Sequence, residues 1–516
     1  MSNTLSPSGS YESDLKSPDL DQAPESTLPH GEESADLEAL KKKAKLSDYF
    51  AIACSGAALV SDGLQNNCMT MANVIFAQLY GKAYTSDIST RISNSLTVGT
   101  ILGQVSIGIV CDLLGRKHGI VISTVCIILG IIMATASHGA HGSFIGWTWC
   151  MTVARGLTGI GVGGEYPSSS VSAVEGANEK MAKNRGGVFI MVTNFVLSFG
   201  GPLASILYLI VLEAAGGDNA KLYTVWRVVF GITVIPPVAV FFFRIRMLNS
   251  KLYRKSAIQK GVPLKYILGY YWKSLIGTAG AWFLYDFVTF PNGVFSGTII
   301  SNIIDPSLTG PAKVRSTAEW QLLLGALSLP GCIIGALIVN RLGRRNLMIA
   351  GFAGYLVIGL IVGCAYEKLI TKTAGFVVLY GLMQSFGNLG PGNTMGLTSA
   401  ESYATAVRAS CYGFSAAVGK VGAVIGTESF TPIKTNLGPR YTFIVAACCG
   451  LVGIIVAFFF IRNDLGGDLA DEDRKFATYL QSKGWNGQMG VRGVEAQIDD
   501  DGESAKYGKG EVKQVE

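Results

Sequence analysis

Charge is scarce in this chain. Asp, Glu, Lys and Arg make up 15% of its 516 residues, against about 25% in an ordinary soluble domain, so there is too little polar material to coat a water-facing surface. Histidine is rarer still, at four residues; His138 and His141, three apart in a glycine-rich turn, read as exposed loop residues rather than metal ligands. The apolar segments hold no nucleophile–base pair and no metal-ligating cluster, which argues against a membrane phosphodiesterase and implies no metal and no cofactor. Ten cysteines are present, but they lie in or beside apolar runs and lack the spacing of a disulfide framework or a zinc site. Basic patches interleaved with aromatics are also missing: the net charge of +6 comes from short runs between apolar segments, so no nucleic-acid partner is expected.

What fills the chain is apolar: 49% hydrophobic residues, a mean hydropathy of +0.38, and 64 glycines, a density that lets helices approach closely in a lipid bilayer. Stretches of about twenty residues or more, the length that crosses a bilayer at about 1.5 Å per residue, recur twelve times. They lie at 49–81, 92–111, 119–137, 144–174, 186–212, 224–243, 274–304, 320–340, 346–366, 373–400, 409–427 and 441–461. The pattern predicts an all-α membrane protein with twelve transmembrane helices. Polar composition divides the rest into a disordered tail over 1–47, a six-helix half over 48–247, a basic linker over 248–273, a second six-helix half over 274–462 and a polar tail over 463–516. Between Arg244 and Lys273 there are eight Lys and Arg and no Asp or Glu. Arg116–Lys117 and Arg344–Arg345 fall on the same side by parity, which predicts that this side and both termini face the cytoplasm.

The two halves echo each other. Gly108–Lys117 reads GIVCDLLGRK and Ala336–Arg345 reads ALIVNRLGRR, each closing the second span of its half at an offset of about 228 residues. At the same offset Gly159, Gly164 and Glu165 correspond to Gly387, Gly392 and Asn393. Duplicated halves place a substrate site at the bilayer midplane between them. The glycines from Gly159 to Gly164 superficially match a dinucleotide fingerprint, but apolar flanks and the lack of a preceding strand make them helix-packing residues.

The first of these strings resembles the signature loop of the major facilitator superfamily, matching at Gly108, Asp112, Gly115, Arg116 and Lys117. GVGGEYPS at Gly161–Ser168, WFLYD at Trp282–Asp286, GPGNTMGLTSAE at Gly390–Glu401 and SAAVGKVG at Ser415–Gly422 are similar to the phosphate:proton symporter branch, most of all to fungal glycerophosphodiester permeases for glycerophosphoinositol or glycerophosphocholine. The resemblance implies the major facilitator fold, alternating access, and a monomer that takes up a small anionic organophosphate with protons across the plasma membrane. Phosphate carriers of that branch have Asp where this chain has Glu165, Gln for Asn194, Tyr for Phe290 and Asn for Gly392. An inorganic phosphate symporter and a nutrient sensor that binds without transporting remain as alternatives.

The residues themselves give a parallel reading. Asp62, Arg155, Glu165, Asp286 and Lys420 interrupt the spans. Each ionised side chain at that depth costs at least ~2.5–3.5 kcal/mol, which makes function the default explanation. Asp62, Glu165 and Asp286 are the candidates for carrying protons, and Lys420 for holding a phosphate as a point charge. Tyr166, Asn194, Asn393, Trp282, Phe290 and Gly392 complete the expected substrate site. Trp282, Tyr285, Phe287 and Phe290 would offer aromatic faces to a choline headgroup. Near the cytoplasmic ends, Asp112, Arg116, Arg155, Glu175 and Arg185 resemble the superfamily's charge latch between conformations, which implies a gate there with Glu401 and Arg408 as its counterpart. A phosphodiester monoanion entering against an inside-negative potential costs ~2.3 kcal/mol per 100 mV, so net uptake needs more than one proton.

Overall fold

The computed structural model describes residues 59–244 and 262–485; the tail over 1–47, most of the linker and the end of the chain lie outside the described residues. Among the described residues there are only helices, turns and loops. Helices α1 (Leu59–Tyr80), α2 (Ser86–Leu114), α3 (Arg116–Ala136), α4 (Phe144–Glu165, resuming at Val171–Met181), α5 (Arg185–Val192 and Asn194–Ala214) and α6 (Leu222–Ile232 and Ile235–Arg244) form the first half. The second half comprises α7 (Leu264–Ser301), α8 (Gly310–Leu342), α9 (Arg344–Cys364), α10 (Thr373–Gly387, resuming at Asn393–Glu401), α11 (Arg408–Asn436) and α12 (Arg440–Phe460). These are the twelve expected spans. Helix α7 begins at Leu264, inside the stretch expected to be linker, and a further helix, α13 (Leu469–Ser482), follows in the polar tail.

The sequence repeat is visible as backbone geometry. Gly115 between α2 and α3 has φ 99°, and Gly343 between α8 and α9 has φ 82°, a region that favours glycine because it has no β-carbon. Each lets the chain reverse within one residue and start the next helix on an arginine. Helices α4 and α10 are both interrupted by a π-turn, at Tyr166–Ser170 and Asn388–Gly392, where Pro167 and Pro391 remove a backbone donor. These landmarks lie 222 residues apart, from Tyr166 to Asn388, so the register at this depth departs from the offset of 228.

Seven helices, α2, α3, α5, α6, α8, α9 and α12, are long and apolar enough to span a membrane by composition alone. The other five carry most of the polar side chains that face the centre, and in α10 the π-turn also leaves pieces of only 15 and 9 residues. Large apolar residues such as Leu102, Leu337 and Phe459 are exposed on the outside, as a lipid-facing surface requires. Inside, α2 and α4 approach so closely that a β-carbon at Gly103 would collide with the Ile160 carbonyl oxygen. The halves meet where α2 packs on α11, α5 on α8 and α1 on α7.

Candidate functional site

A cavity of ≈ 220 Å³ lies between the halves, lined from α1, α4, α5, α7, α8, α10 and α11. Asp62, Asp286 and Lys420 are nearly inaccessible, at 2%, 3% and 3% exposure, yet all three line it. Lys420 Nζ donates to Asp286 Oδ2 at 3.1 Å and stands 3.9 Å from the centre of the Phe290 ring and 5.3 Å from that of Tyr166. Asp62 accepts from Asn66 Nδ2 at 2.5 Å and from the Tyr166 hydroxyl. Trp282 lines the cavity beside this group, edge-on to Tyr412 with ring centres 5.5 Å apart. An ammonium has three donors, and Asp286 takes one of them. The others, cradled by two aromatic faces, can receive the oxygens of a phosphate.

On the other wall Asn194 Nδ2 donates to Asn393 Oδ1 at 2.7 Å, and Asn393 Nδ2 donates to the Cys332 carbonyl at 3.1 Å. The pair ties α5 to α10 and α8. Gly392 lines the cavity one turn from Asn388; a β-carbon there would sit 3.0 Å from Asn388 Oδ1 and 3.2 Å from the Tyr285 hydroxyl.

Three expectations are corrected. Glu165 does not line the cavity: it accepts from Ser169 Oγ at 2.5 Å and from Thr124 Oγ1 of α3 at 3.5 Å. Successive helical residues point about 100° apart, and Tyr166 takes the inward direction. The cavity thus holds two carboxylates against Lys420, not three. Arg155 does not join the gate. Glu175 lies twenty residues further along α4, about 30 Å at 1.5 Å per residue, and Arg155 instead donates to the Gln65 carbonyl at 3.3 Å in the core of the first half. Phe287 stacks on Phe283, with ring centres 6.2 Å apart, and is not part of the lining.

The remaining expected gate residues do assemble, at the end of the bundle that carries the basic loops. Asp112 accepts from the backbone of Ser410 at 2.6 Å, at the N-terminus of α11 in the other half, and from Arg116 at 2.7 Å. Glu175 accepts from Arg116 at 3.0 Å and from Arg408 at 3.0 Å. Glu401 reciprocates, accepting from Arg185 at 2.7 Å across the halves and from Arg344 at 2.8 Å. Sequence reasoning missed Arg344, although the repeat pairs it with Arg116. It also missed α13, whose Asp473 caps the loop before α11 by accepting from Thr405 N at 2.6 Å and Oγ1 at 2.8 Å. The Asp468 cap and the apolar spacing of Leu469, Phe476 and Leu480 were the available signal. At the opposite end Asn94 Nδ2 donates to Glu428 Oε1 at 2.8 Å and Arg315 pairs with Glu213 at 2.6 Å. The halves are thus bridged at both ends of the bundle.

Comparison with known proteins agrees with this architecture. A family model described as sugar (and other) transporter matches residues 49–256 and 253–476. Glycerophosphoinositol permease 1 of Candida albicans is 52% identical over 470 residues, 91% of this chain and 89% of that protein. Glycerophosphoinositol transporter 1 of Saccharomyces cerevisiae is 47% identical over 450 residues, 87% and 86% of the two chains. A glycerophosphocholine permease of C. albicans is 33% identical over 479 residues, 90% and 88% of the two. The E. coli proton:xylose symporter XylE, at 16% identity, covers 83% of this chain and 99% of its own with a TM-score of 0.68, a likeness of fold. Identity at this level, continued through both six-helix halves, makes the chain a member of the sugar (and other) transporter family, within the major facilitator superfamily.

Proposed function

We propose that this transporter takes up glycerophosphodiesters, glycerophosphoinositol before glycerophosphocholine, together with protons and by alternating access across the plasma membrane. The observation that carries the reading is the buried Lys420–Asp286 pair lining the cavity between the halves. When Asp286 is ionised it competes with the substrate phosphate for the ammonium. A proton on Asp286 removes that competitor, so proton and anion binding favour each other. Asp62, with Tyr166 and Asn66 bonded to its two oxygens, is the second proton candidate in the cavity. The basic end and both termini face the cytoplasm in this reading, and the single chain that encloses the cavity works as a monomer.

Purified protein in vesicles tests the mechanism. Uptake of labelled glycerophosphoinositol should fall as external pH rises and collapse with a protonophore. Asp286→Asn should lose uphill accumulation while retaining counterflow, because an amide cannot release a proton. Undiminished gradient-driven accumulation by that variant rules Asp286 out as the coupling group.

Inorganic phosphate is the second reading, since a protein of Arabidopsis thaliana named "Probable inorganic phosphate transporter 1-6" is 24% identical over 470 residues. Gly392 bears on the choice. With only 3.0 Å between a β-carbon and Asn388 Oδ1, an asparagine at 392 must project into the cavity or displace Asn388. Gly392→Asn should therefore cut diester uptake at least tenfold and spare or raise phosphate uptake, measured side by side in the same vesicles. Equal loss of both substrates would reduce Gly392 to a packing residue.

A further inference from the structure

The two walls of the cavity differ in chemistry. Lys420, Asp286, Asp62, Tyr166 and Phe290 belong to α1, α4, α7 and α11, and α11 packs on α2 and α7. Across from them, α5 packs on α8, and the π-turn of α10 packs on α8 as well. The polar side chains of that side are uncharged amides and hydroxyls, among them Asn388, Gln384, Gln321, Ser198 and Ser328, with Asn67 reaching in from α1 and apolar Leu197, Leu324 and Met395 between them.

Several of these groups have unused hydrogen-bonding capacity. Gln321 Nε2 donates to Ser296 Oγ at 2.8 Å, but its Oε1 is buried without a partner in a side chain that is only 7% exposed. Asn67 Nδ2 donates to the Gly63 carbonyl at 2.8 Å, and its oxygen accepts from no donor among the described residues. Asn388 Nδ2 donates to the Ser328 carbonyl at 3.1 Å, leaving its oxygen with a single weak contact from Ser198 Oγ at 3.4 Å. A buried carboxamide oxygen with no donor is costly; Gln321 Oε1 is one, and with the oxygens of the half-buried Asn67 and Asn388 in the same lining the cavity is set up for a ligand that brings hydroxyl donors.

We propose that this amide wall is a polyol subsite: it receives a hydroxylated headgroup while Lys420 holds the phosphate, and so selects glycerophosphoinositol over glycerophosphocholine. The inference rests on the reading of the substrate as a glycerophosphodiester. Inositol hydroxyls donate to Gln321 Oε1, Asn67 Oδ1 and Asn388 Oδ1. A trimethylammonium has no donor to offer them. The groups that would favour it, carboxylates and aromatic faces, lie on the other wall, where Lys420 already covers Phe290 and pairs with Asp286.

The test compares half-saturating concentrations for labelled glycerophosphoinositol and glycerophosphocholine in vesicles, with free inositol as a competitor. Wild-type protein should prefer the inositol diester at least tenfold, and free inositol should inhibit it weakly. Gln321→Leu should raise the constant for the inositol diester about tenfold, the loss of one buried hydrogen bond, and change that for the choline diester less than threefold. Asn67→Ala, which gives up only one bond within its own helix, should shift the same ratio and guards against misfolding of the first variant. Equal constants for the two diesters in the wild type, or parallel losses for both in both variants, overturn the polyol subsite alone. Wild-type protein that moves neither diester overturns the proposed function itself.

Discussion

Lys420→Ala should abolish substrate binding. The ammonium is the single cation lining the cavity among the described residues, and its removal leaves Asp286 and Asp62 facing an anionic substrate. Truncating one partner of a buried pair costs roughly 3–5 kcal/mol, a loss of between two and four orders of magnitude in affinity if it is expressed at the site. Binding of labelled glycerophosphoinositol to detergent-purified protein gives the affinity, and a symmetric size-exclusion profile shows that the variant is folded. Part of the cost falls on stability, because Asp286 is stranded. The double variant Lys420→Ala/Asp286→Asn removes that penalty and should fold like the wild type while still failing to bind. Retention of near-normal affinity by either variant would place the phosphate seat elsewhere.

Glu401→Gln should unlock the basic end of the bundle. One carboxylate there neutralises Arg185 from the first half and Arg344 from the second, with all four hydrogen bonds between 2.7 and 3.0 Å. An amide keeps the shape but leaves two buried guanidinium groups without a counter-charge, again a loss of roughly 3–5 kcal/mol. Moving a two-state equilibrium from 99:1 to 1:99 takes about 5.5 kcal/mol, so the closed state at this end should lose most of its advantage. Transport should fall at least tenfold because the carrier is trapped open on one side. Amide exchange over 401–408 and 469–482 should rise together, since α13 is fastened to the same loop through Asp473. Exchange that rises in 401–408 alone would show that α13 is not part of the closure.

Much of the candidate site was legible in advance, and the misses have identifiable causes. Lys420, Asp286, Asp62, Tyr166, Trp282, Phe290, Asn194, Gly392 and Asn393 all line the cavity. They stand out in sequence because polar groups are expensive at that depth, so few occur. Glu165 was misplaced by the same logic, which registers that a charge is buried but not which way it points. Its neighbour Tyr166 takes the inward direction, and the step of about 100° per residue turns Glu165 toward Thr124 of α3. Arg155 was assigned to the gate because it was placed near the cytoplasmic end beside Asp112, Arg116, Glu175 and Arg185, whereas helix rise alone separates it from Glu175 by about 30 Å. Uncharged lining residues such as Asn67, Gln321 and Asn388 carried too weak a signal to stand out among the many Ser, Thr and Asn of the spans.

The sequence by itself determined the number of spans, the duplication of the halves, the glycine turns at Gly115 and Gly343 and the identity of the buried charges. All of these are local: the length of an apolar run, the absence of a β-carbon, or the cost of an ion in lipid can be read one segment at a time. Only the tertiary structure decided which charges meet. Arg185 with Glu401, Arg408 with Glu175 and Lys420 with Asp286 join residues 216, 233 and 134 positions apart. Whether such side chains converge depends on the rotation and depth of each helix against its neighbours, and both are set by close packing around small residues in which no single segment contains the answer.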